Sequence, residues 1–407
     1  MFDRQKINQT RKDFPMLNDR EIYFDNAATT FKPHVVIDAV LEYYNNYSYN
    51  VGRGDYLKAY SVEQKVEEVR SLIADFINAD KNEVIFTSGA TESLNTIAFS
   101  YGLQYLKAGD VILTSLAEHA SNILPWFKVA ELVGASIEYV ELDQYGDLSL
   151  ENFKAAMHDK VKVVSLAAMT NVLGNVLPIK EIAKVTHDYG AIIVCDGAQS
   201  VAHNLVDVKD LDVDFLAFSG HKMLAPTGVG VIYAKYSILD KLQPFFQGGG
   251  SNSRYSQDGS LSYKKPPYKF ENGTPPIEAI LGFGAAIKYL NEQDIAKLIA
   301  YEQDLVNYFI EEMSKLDNVE IYNPNSTSGI VAFNIKGIFS QDVSTYLDTQ
   351  GIQVRSGHHC SKLLNNVIKA NDTVRASVYF YNTFEEVDRF VEVVSQTTLE
   401  KTINIFV

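Results

Sequence analysis

Cysteine is almost missing from this chain, with only two in 407 residues. So few exclude a disulfide framework. Long apolar runs are lacking too: none approaches the ~20 residues that a membrane-spanning helix needs. The opening Met1-Phe2-Asp3-Arg4-Gln5-Lys6 lacks the apolar core of a signal peptide. The expectation is a cytoplasmic protein with no membrane partner. Positive charge is in short supply, since 36 Lys plus Arg against 51 Asp plus Glu leave a net charge of −15. A nucleic-acid groove wants clustered basic residues, so no nucleic-acid partner is expected. What is present, 46% hydrophobic and 21% charged residues, is ordinary for a globular protein. The length predicts two or three domains, and no internal repeat is visible.

From residue 83 to 234 short apolar runs alternate with helical patterns. The runs at 83–87, 111–115, 161–167, 191–195, 213–217 and 228–234 read as buried strands. Such alternation predicts a mostly parallel sheet covered on both faces. Val62, Val66, Val69, Ile73, Phe76 and Ile77 fall at helical spacing with charges between them, an amphipathic helix. Residues 43–60, rich in Tyr, Asn and Gly, read as a loop, and 247–276 as a long functional loop. From Ile277 a long helical pattern leads to a second unit. Its strands fall at 319–322, 330–335 and 374–379, and its helices near 341–350 and 384–395. Residues 1–20 read as an irregular or helical arm, followed by a short strand at 21–24.

Chemistry-bearing residues collect at the strand ends. Lys222 closes Ser219-Gly220-His221-Lys222, just past the run 213–217. A buried lysine sheds its charge readily, and a neutral amine forms a Schiff base with an aldehyde; a solvated loop lysine is the plainer reading of those four residues alone. Asp196 ends the run 191–195, at the edge where open α/β sheets hold ligands. It would pair with a protonated pyridine nitrogen or cap the next helix. Residues 83–87 run into Ser88-Gly89-Ala90-Thr91-Glu92-Ser93, a helix start capped by Thr91 or Ser88. That is either a phosphate cradle or an ordinary turn. His119 ends another strand, where an imidazole can stack on a ring or serve structure. Cys195 lies in a strand as a small core residue. Cys360 lies near Arg355 in a Gly, His and Ser stretch, a setting that lowers a thiol pKa. With His358 and His359 it would make a metal site only at poor zinc spacing, so the thiol is the better reading and no metal is expected.

Several pieces occur in a fixed order: Thr87-Ser88-Gly89-Ala90-Thr91-Glu92, Glu118-His119, Thr170-Asn171-Val172-Leu173-Gly174, Asp196-Gly197-Ala198-Gln199 and Ser219-Gly220-His221-Lys222. Arg355-Ser356-Gly357-His358-His359-Cys360, Val374-Arg375-Ala376-Ser377 and Tyr381-Asn382-Thr383 follow. From Tyr23-Phe24-Asp25-Asn26-Ala27-Ala28 almost to its end the chain resembles SUF-type (group II) cysteine desulfurases. These are pyridoxal 5'-phosphate (PLP) enzymes of the class V aminotransferase family. The resemblance implies an α/β, PLP-dependent type I fold with a mostly parallel sheet in a large PLP-binding domain at 21–284. A smaller α+β domain at 285–407, joined by the arm 1–20, would carry the cysteine loop.

It also implies roles for single residues. Lys222 would hold PLP as a Schiff base and move the Cα proton, Asp196 would meet the ring nitrogen, and His119 would stack on the ring. Gln199 and Asn171 would sit near the phenolic oxygen. The Ala90 and Thr91 amides, Ser219 and His221 would bind phosphate, with Thr274 reaching the phosphate of a partner subunit. Arg375 would clamp the substrate carboxylate, for which a guanidinium fork is suited, with Asn171 and Arg355 also on the substrate side. Arg355 would help the Cys360 thiolate attack the sulfur of L-cysteine, leaving a persulfide and releasing L-alanine. A homodimer and a sulfur-acceptor or iron–sulfur scaffold protein are implied as partners. A selenocysteine lyase, a cysteine sulfinate desulfinase, another class V enzyme such as an aminotransferase, and a non-catalytic PLP-fold partner of a sulfur scaffold are the alternatives. Two departures from the family pattern stand out. Asn50-Val51-Gly52-Arg53-Gly54 has glycine where a histidine is usual, which bears on substrate contacts. Ser361-Lys362-Leu363-Leu364 replaces a small-polar-proline run, which bears on the cysteine loop.

Overall fold

Runs of Val, Ile and Leu free of charge are stable only where both faces of a strand are covered, and the central strands of the largest sheet are mostly made of them, its exposed edge strand Ser136–Tyr139 excepted. The computed structural model describes residues 4–18, 20–52 and 54–404; Met1, Phe2, Asp3 and Arg53, which entered the sequence argument, lie outside them. The strands are β1 Val84–Thr87, β2 Val111–Thr114, β3 Ser136–Tyr139, β4 Val161–Ala167, β5 Ile192–Asp196, β6 Phe215–Ser219 and β7 Gly230–Ala234. They lie in the order β1-β7-β6-β5-β4-β2-β3. Only β7 runs against its neighbours. The mostly parallel sheet expected from the alternation is therefore present. Its consequence is positional, because parallel strands bring their carboxyl ends to one edge, where α/β sheets hold ligands. Ala167, Asp196 and Ala217 sit side by side there in register.

Helices cover both faces. The helices α1 His34–Asn46, α2 Leu57–Phe76, α3 Ala90–Tyr105, α4 Ala120–Val133, α5 Ile277–Glu292 and α6 Ile295–Ser314 matter most for the site. Leu94 and Ile97 of α3 and Trp126 and Val129 of α4 pack on Ile112, Val163, Val194 and Phe215 of the sheet. The other face meets α5, which packs on α1 and α2. A second unit has an antiparallel sheet of β8 Val319–Ile321, β9 Ile330–Ile335, β10 Arg355–Gly357 and β11 Thr373–Ser377 in the order β8-β9-β11-β10. Its own core gathers Phe24, Phe309, Phe333 and Phe390.

Packing divides the chain slightly differently from 21–284 and 285–407. The strand Ile22–Tyr23 pairs in parallel with Ile352–Gln353, and Ile22 and Phe24 join the second core. All of α5, to Leu290, belongs to the first core. The arm thus ends near Phe24, and the second unit begins near α6. Hydrophobic spacing shows that a segment is buried, not which core it joins. Residues 43–60, read as a loop, are partly the ends of α1 and α2. The stretch 247–276 holds an antiparallel hairpin of Asn252–Tyr255 with Leu261–Tyr263. Its strands are mostly exposed, so they lack the apolar alternation that would have marked them.

Candidate active site

A cavity of about 220 Å³ lies where the carboxyl edge of the large sheet meets the second unit. All the residues assigned from the sequence line it, Thr274 excepted. Asp196 and Lys222 come from the large sheet, whereas Arg355, Cys360 and Arg375 come from the second unit.

Lys222 ends a 3₁₀ turn, Gly220–Lys222, directly after β6. The peptide entering it is pinned, because the His221 carbonyl accepts from Thr30 N at 3.1 Å, Thr29 Oγ1 at 3.1 Å and Lys32 Nζ at 3.2 Å. Burial pulls the Lys222 pKa down to about 8; Asp196 opposes this, while Arg375 and Arg355 add to it. Asp196 ends β5 and lines the cavity, while its Oδ1 accepts from Ala198 N at 2.9 Å; it does not cap the next helix, Ser200–His203, whose cap is Gln199. Burial raises its pKa, against the Ala198 amide and Lys222.

His119 caps α4 through Nδ1, which accepts from Ser121 N at 3.1 Å. Burial, then Lys222 and Arg375, push its pKa down to about 4. At neutral pH it is therefore a flat, uncharged ring with its proton on Nε2. His221 is lowered to about 4 as well, by burial, Lys222 and Lys32.

The start of α3 lines the cavity through Ala90 and Thr91, and its cap is Gly89 and not Thr91 or Ser88. Ala90 N donates to Ser219 Oγ at 2.7 Å. That approach needs glycine at 230, where a Cβ would come within 2.4 Å of Gly89 Cα. Thr91 Oγ1 and Ser121 Oγ lie 2.7 Å apart and join the starts of α3 and α4, so both helix dipoles favour an anion there.

On the opposite wall Arg375 is buried, at 2% exposure. Its Nη1 donates to Asn171 O at 2.7 Å and its Nη2 to Asp25 Oδ1 at 3.0 Å, while Nε has no partner among the described residues. Burial lowers its pKa and Asp25 holds it up. Arg355 Nε also meets Asp25, at 3.1 Å. One carboxylate thus steadies both guanidinium groups. Nothing in the sequence marks Asp25 for this role, because its cations lie 330 and 350 positions away in the chain.

Cys360 is exposed and Cys195 is buried, as expected. Asn171 lines the cavity, yet both ends of its amide are engaged by the cysteine loop: Nδ2 donates to His359 O and Oδ1 accepts from Ser361 Oγ, each at 2.8 Å. Gln199 Nε2 donates to Ala27 O at 2.9 Å and leaves Oε1 buried without a partner among the described residues. An amine of lowered pKa, a buried carboxylate, a neutral flat ring and an amide cradle surround the cavity. With the orphaned Gln199 Oε1 and Arg375 Nε, this donor set fits PLP and an amino-acid carboxylate.

Thr274 is not brought to this cavity. Arg70 holds the Glu271 carboxylate at 2.6 and 3.0 Å, and Phe86 N donates to it at 2.8 Å. Those bonds tether the segment beside β1, so Thr274 lines a second cavity of about 480 Å³ together with Gly52.

Glu118 was also passed over, since a glutamate before a helix reads as an ordinary first-turn charge. It is 2% exposed and accepts from Ser115 Oγ at 2.9 Å, Asn122 Nδ2 at 2.7 Å and Ala167 N at 2.9 Å. Burial outweighs these bonds and raises its pKa from 4.5 to about 7, with Asp196 adding to the rise. A carboxyl with a raised folded-state pKa stabilises the fold fully below pH 4.5, and that contribution is lost as pH climbs to about 7. Glu118→Gln should therefore gain melting temperature relative to the unmodified protein across that window. A difference that stays constant with pH would show that Glu118 does not titrate there.

The class-V aminotransferase family model matches residues 22–390. A probable cysteine desulfurase of Synechocystis sp. is 39% identical over 97% of this chain and 95% of its own length. Among solved structures, a cysteine desulfurase of Thermococcus onnurineus superposes with a TM-score of 0.92 at 38% identity, over 97% of this chain and 98% of its own. The cysteine desulfurase CsdA of Escherichia coli gives 0.91 at 31% identity, over 100% and 99%. A match of that extent, on a fold whose sheet edge gathers Lys222, Asp196 and His119 into one cavity, makes the chain a member of the class-V aminotransferase family.

Proposed function

We propose that the protein is a PLP-dependent cysteine desulfurase that converts L-cysteine to L-alanine and keeps the sulfur as a persulfide on Cys360. The observation that carries the reading is one cavity lined by a Schiff-base-competent lysine, an aspartate for a ring nitrogen and an exposed thiol. PLP, when bound, supplies an aldehyde and an electron sink. Asp196 would keep the ring nitrogen protonated, and His119, neutral, would lie against the ring. The Thr91 amide and the Ser219 hydroxyl, which Ala90 N holds at 2.7 Å, would bind the phosphate. The unpartnered Nε of Arg375 is free to take the substrate carboxylate.

Lys222, with a pKa near its working pH at about 8, would take the Cα proton at Nζ and return one as alanine forms. The Cys360 thiolate attacks the substrate sulfur, so an S–S bond forms and the C–S bond breaks. The C–S electron pair stays with the carbon fragment, which is protonated to L-alanine. L-Cysteine plus the Cys360 thiol thus become L-alanine plus the Cys360 persulfide, with no outside oxidant. The direct test incubates purified protein with PLP and L-cysteine, with and without reductant, and measures alanine and sulfide. Alanine in stoichiometric burst without reductant and continuous sulfide with it supports the reading; absence of alanine ends it.

Asp196→Ala should retain PLP but lose at least about 10²-fold in kcat, because the phosphate cradle persists while the ring nitrogen loses its partner. A near-unchanged rate would leave Asp196 only its turn bond to Ala198 N. Further parts of the reading follow from surface and redox state. Exposed Leu41 and Tyr44 on α1, and Leu57 and Tyr60 on α2, the last two 86% and 59% exposed, support a homodimer with the second cavity and Thr274 turned to the partner. A persulfide must be handed on, which supports a sulfur-acceptor or iron–sulfur scaffold partner. A thiol nucleophile needs a reducing compartment, which supports a cytoplasmic location. No helix among the described residues is long and apolar enough to cross a membrane.

A further inference from the structure

Ser361 sits next to the nucleophile yet is buried, at 2% exposure. Its hydroxyl donates to Asn171 Oδ1 at 2.8 Å. With Oδ1 so occupied, the Asn171 amide turns Nδ2 to the loop and donates to the His359 carbonyl at 2.8 Å. The Cys360 carbonyl is held separately by Ala120 N, the first amide of α4, at 2.8 Å.

These bonds clamp a backbone that would not adopt this shape unaided. His359 and Cys360 are consecutive residues with φ of +50° and +60°, in the left-handed region where a Cβ crowds the following carbonyl. Such conformations persist only when the surroundings over-determine them. Here the carbonyl of each strained residue has its own donor, and one of those donors is oriented by Ser361. Asn171 also accepts Arg375 Nη1 on its backbone carbonyl at 2.7 Å, so one residue spans the carboxylate arginine and the thiol loop.

We propose that Ser361 is a positioning residue for sulfur transfer: through the Asn171 amide it latches the strained His359–Cys360 turn and holds the thiol at the cavity. Without the hydroxyl the amide is free to turn its oxygen toward the His359 carbonyl. The two oxygens repel, the turn relaxes from the left-handed region, and the thiol spends less time in reach of the substrate sulfur. Lys222, Asp196 and Arg375 keep their own contacts, so substrate binding is unaffected.

The proposal rests on the desulfurase reading, and its test separates the two. In the PLP-loaded protein, Ser361→Ala and Ser361→Thr are compared by backbone hydrogen exchange over residues 358–364. They are compared also by the single-turnover rate of sulfur gain on Cys360, and by KM for L-cysteine. Losing one buried hydrogen bond should speed exchange about 10-fold and slow sulfur gain about 10-fold in Ser361→Ala. KM should stay within about twofold, since the lost interaction is not with bound substrate. Ser361→Thr, which keeps the hydroxyl, should restore both. Unchanged exchange in Ser361→Ala, a threonine variant as impaired as the alanine one, or a KM that rises in step with the lost rate would each overturn the latch. If the unmodified protein gains no sulfur on Cys360, the desulfurase reading fails, and exchange alone still decides the latch. Should Ser361→Ala lose its melting transition, Asn171→Asp, which keeps the serine contact but repels the His359 carbonyl, decides the latch by hydrogen exchange over 358–364 alone, since Asn171 also lines the cavity.

Discussion

Lys222→Ala is expected to leave a folded protein whose turnover of L-cysteine falls by at least about 10²–10⁴-fold, the range set by losing a positioned acid–base group. Borohydride reduction should then fix no PLP on the chain, whereas the unmodified protein should carry it on Lys222. The fold should survive because the turn Gly220–Lys222 is held by its backbone. Gly220 N donates to Val229 O at 3.0 Å, and four donors, Thr30 N, Thr29 Oγ1, Thr30 Oγ1 and Lys32 Nζ, hold the His221 carbonyl. The side chain itself carries little packing, and burial makes its charged form costly, which is why its pKa falls to about 8. PLP fixed at a different lysine in the variant, with activity kept, would remove Lys222 from the mechanism.

Cys360→Ala should separate binding from sulfur transfer more sharply than any other change. Lys222, Asp196 and Arg375 are untouched, so L-cysteine should still bind and perturb the cofactor spectrum. Persulfide formation should vanish, a loss of at least about 10³-fold, because a thiolate nucleophile has no substitute in alanine. In the unmodified protein, brief alkylation should modify Cys360 first. Cys195 is fully buried in β5, and burial drives its thiol pKa far above the ordinary value. After L-cysteine without reductant, mass spectrometry should find one added sulfur on Cys360. Sulfur found on Cys195, or undiminished alanine release by the variant, would favour a lyase acting on selenocysteine or cysteine sulfinate, which does not need the thiol.

The mostly parallel sheet, six of its seven strands and most of the cavity's residues are legible in the sequence; the order of the strands and the exposed edge strand Ser136–Tyr139 are not. Buried parallel strands write themselves as unbroken apolar runs, and each chemical residue follows one: Asp196 after Ile193-Val194-Cys195, Lys222 after β6, His119 after β2. Local polymer geometry then brings them to one edge. What the sequence did not disclose are contacts made across long separations by residues whose type has several uses. Asp25 reads as a turn residue until Arg355 and Arg375 arrive from the second unit. Glu118 reads as a first-turn charge until the sheet buries it. Asn171 was expected near a ring oxygen, yet the fold turns its amide to the cysteine loop. The left-handed turn at His359 and Cys360 has no sequence signal, because neither residue prefers it and only the surrounding hydrogen bonds hold it. Periodicity records burial and secondary structure, which are properties of neighbours in the chain; pairing, strain and pKa belong to neighbours in space, and those exist only once the two units have packed together.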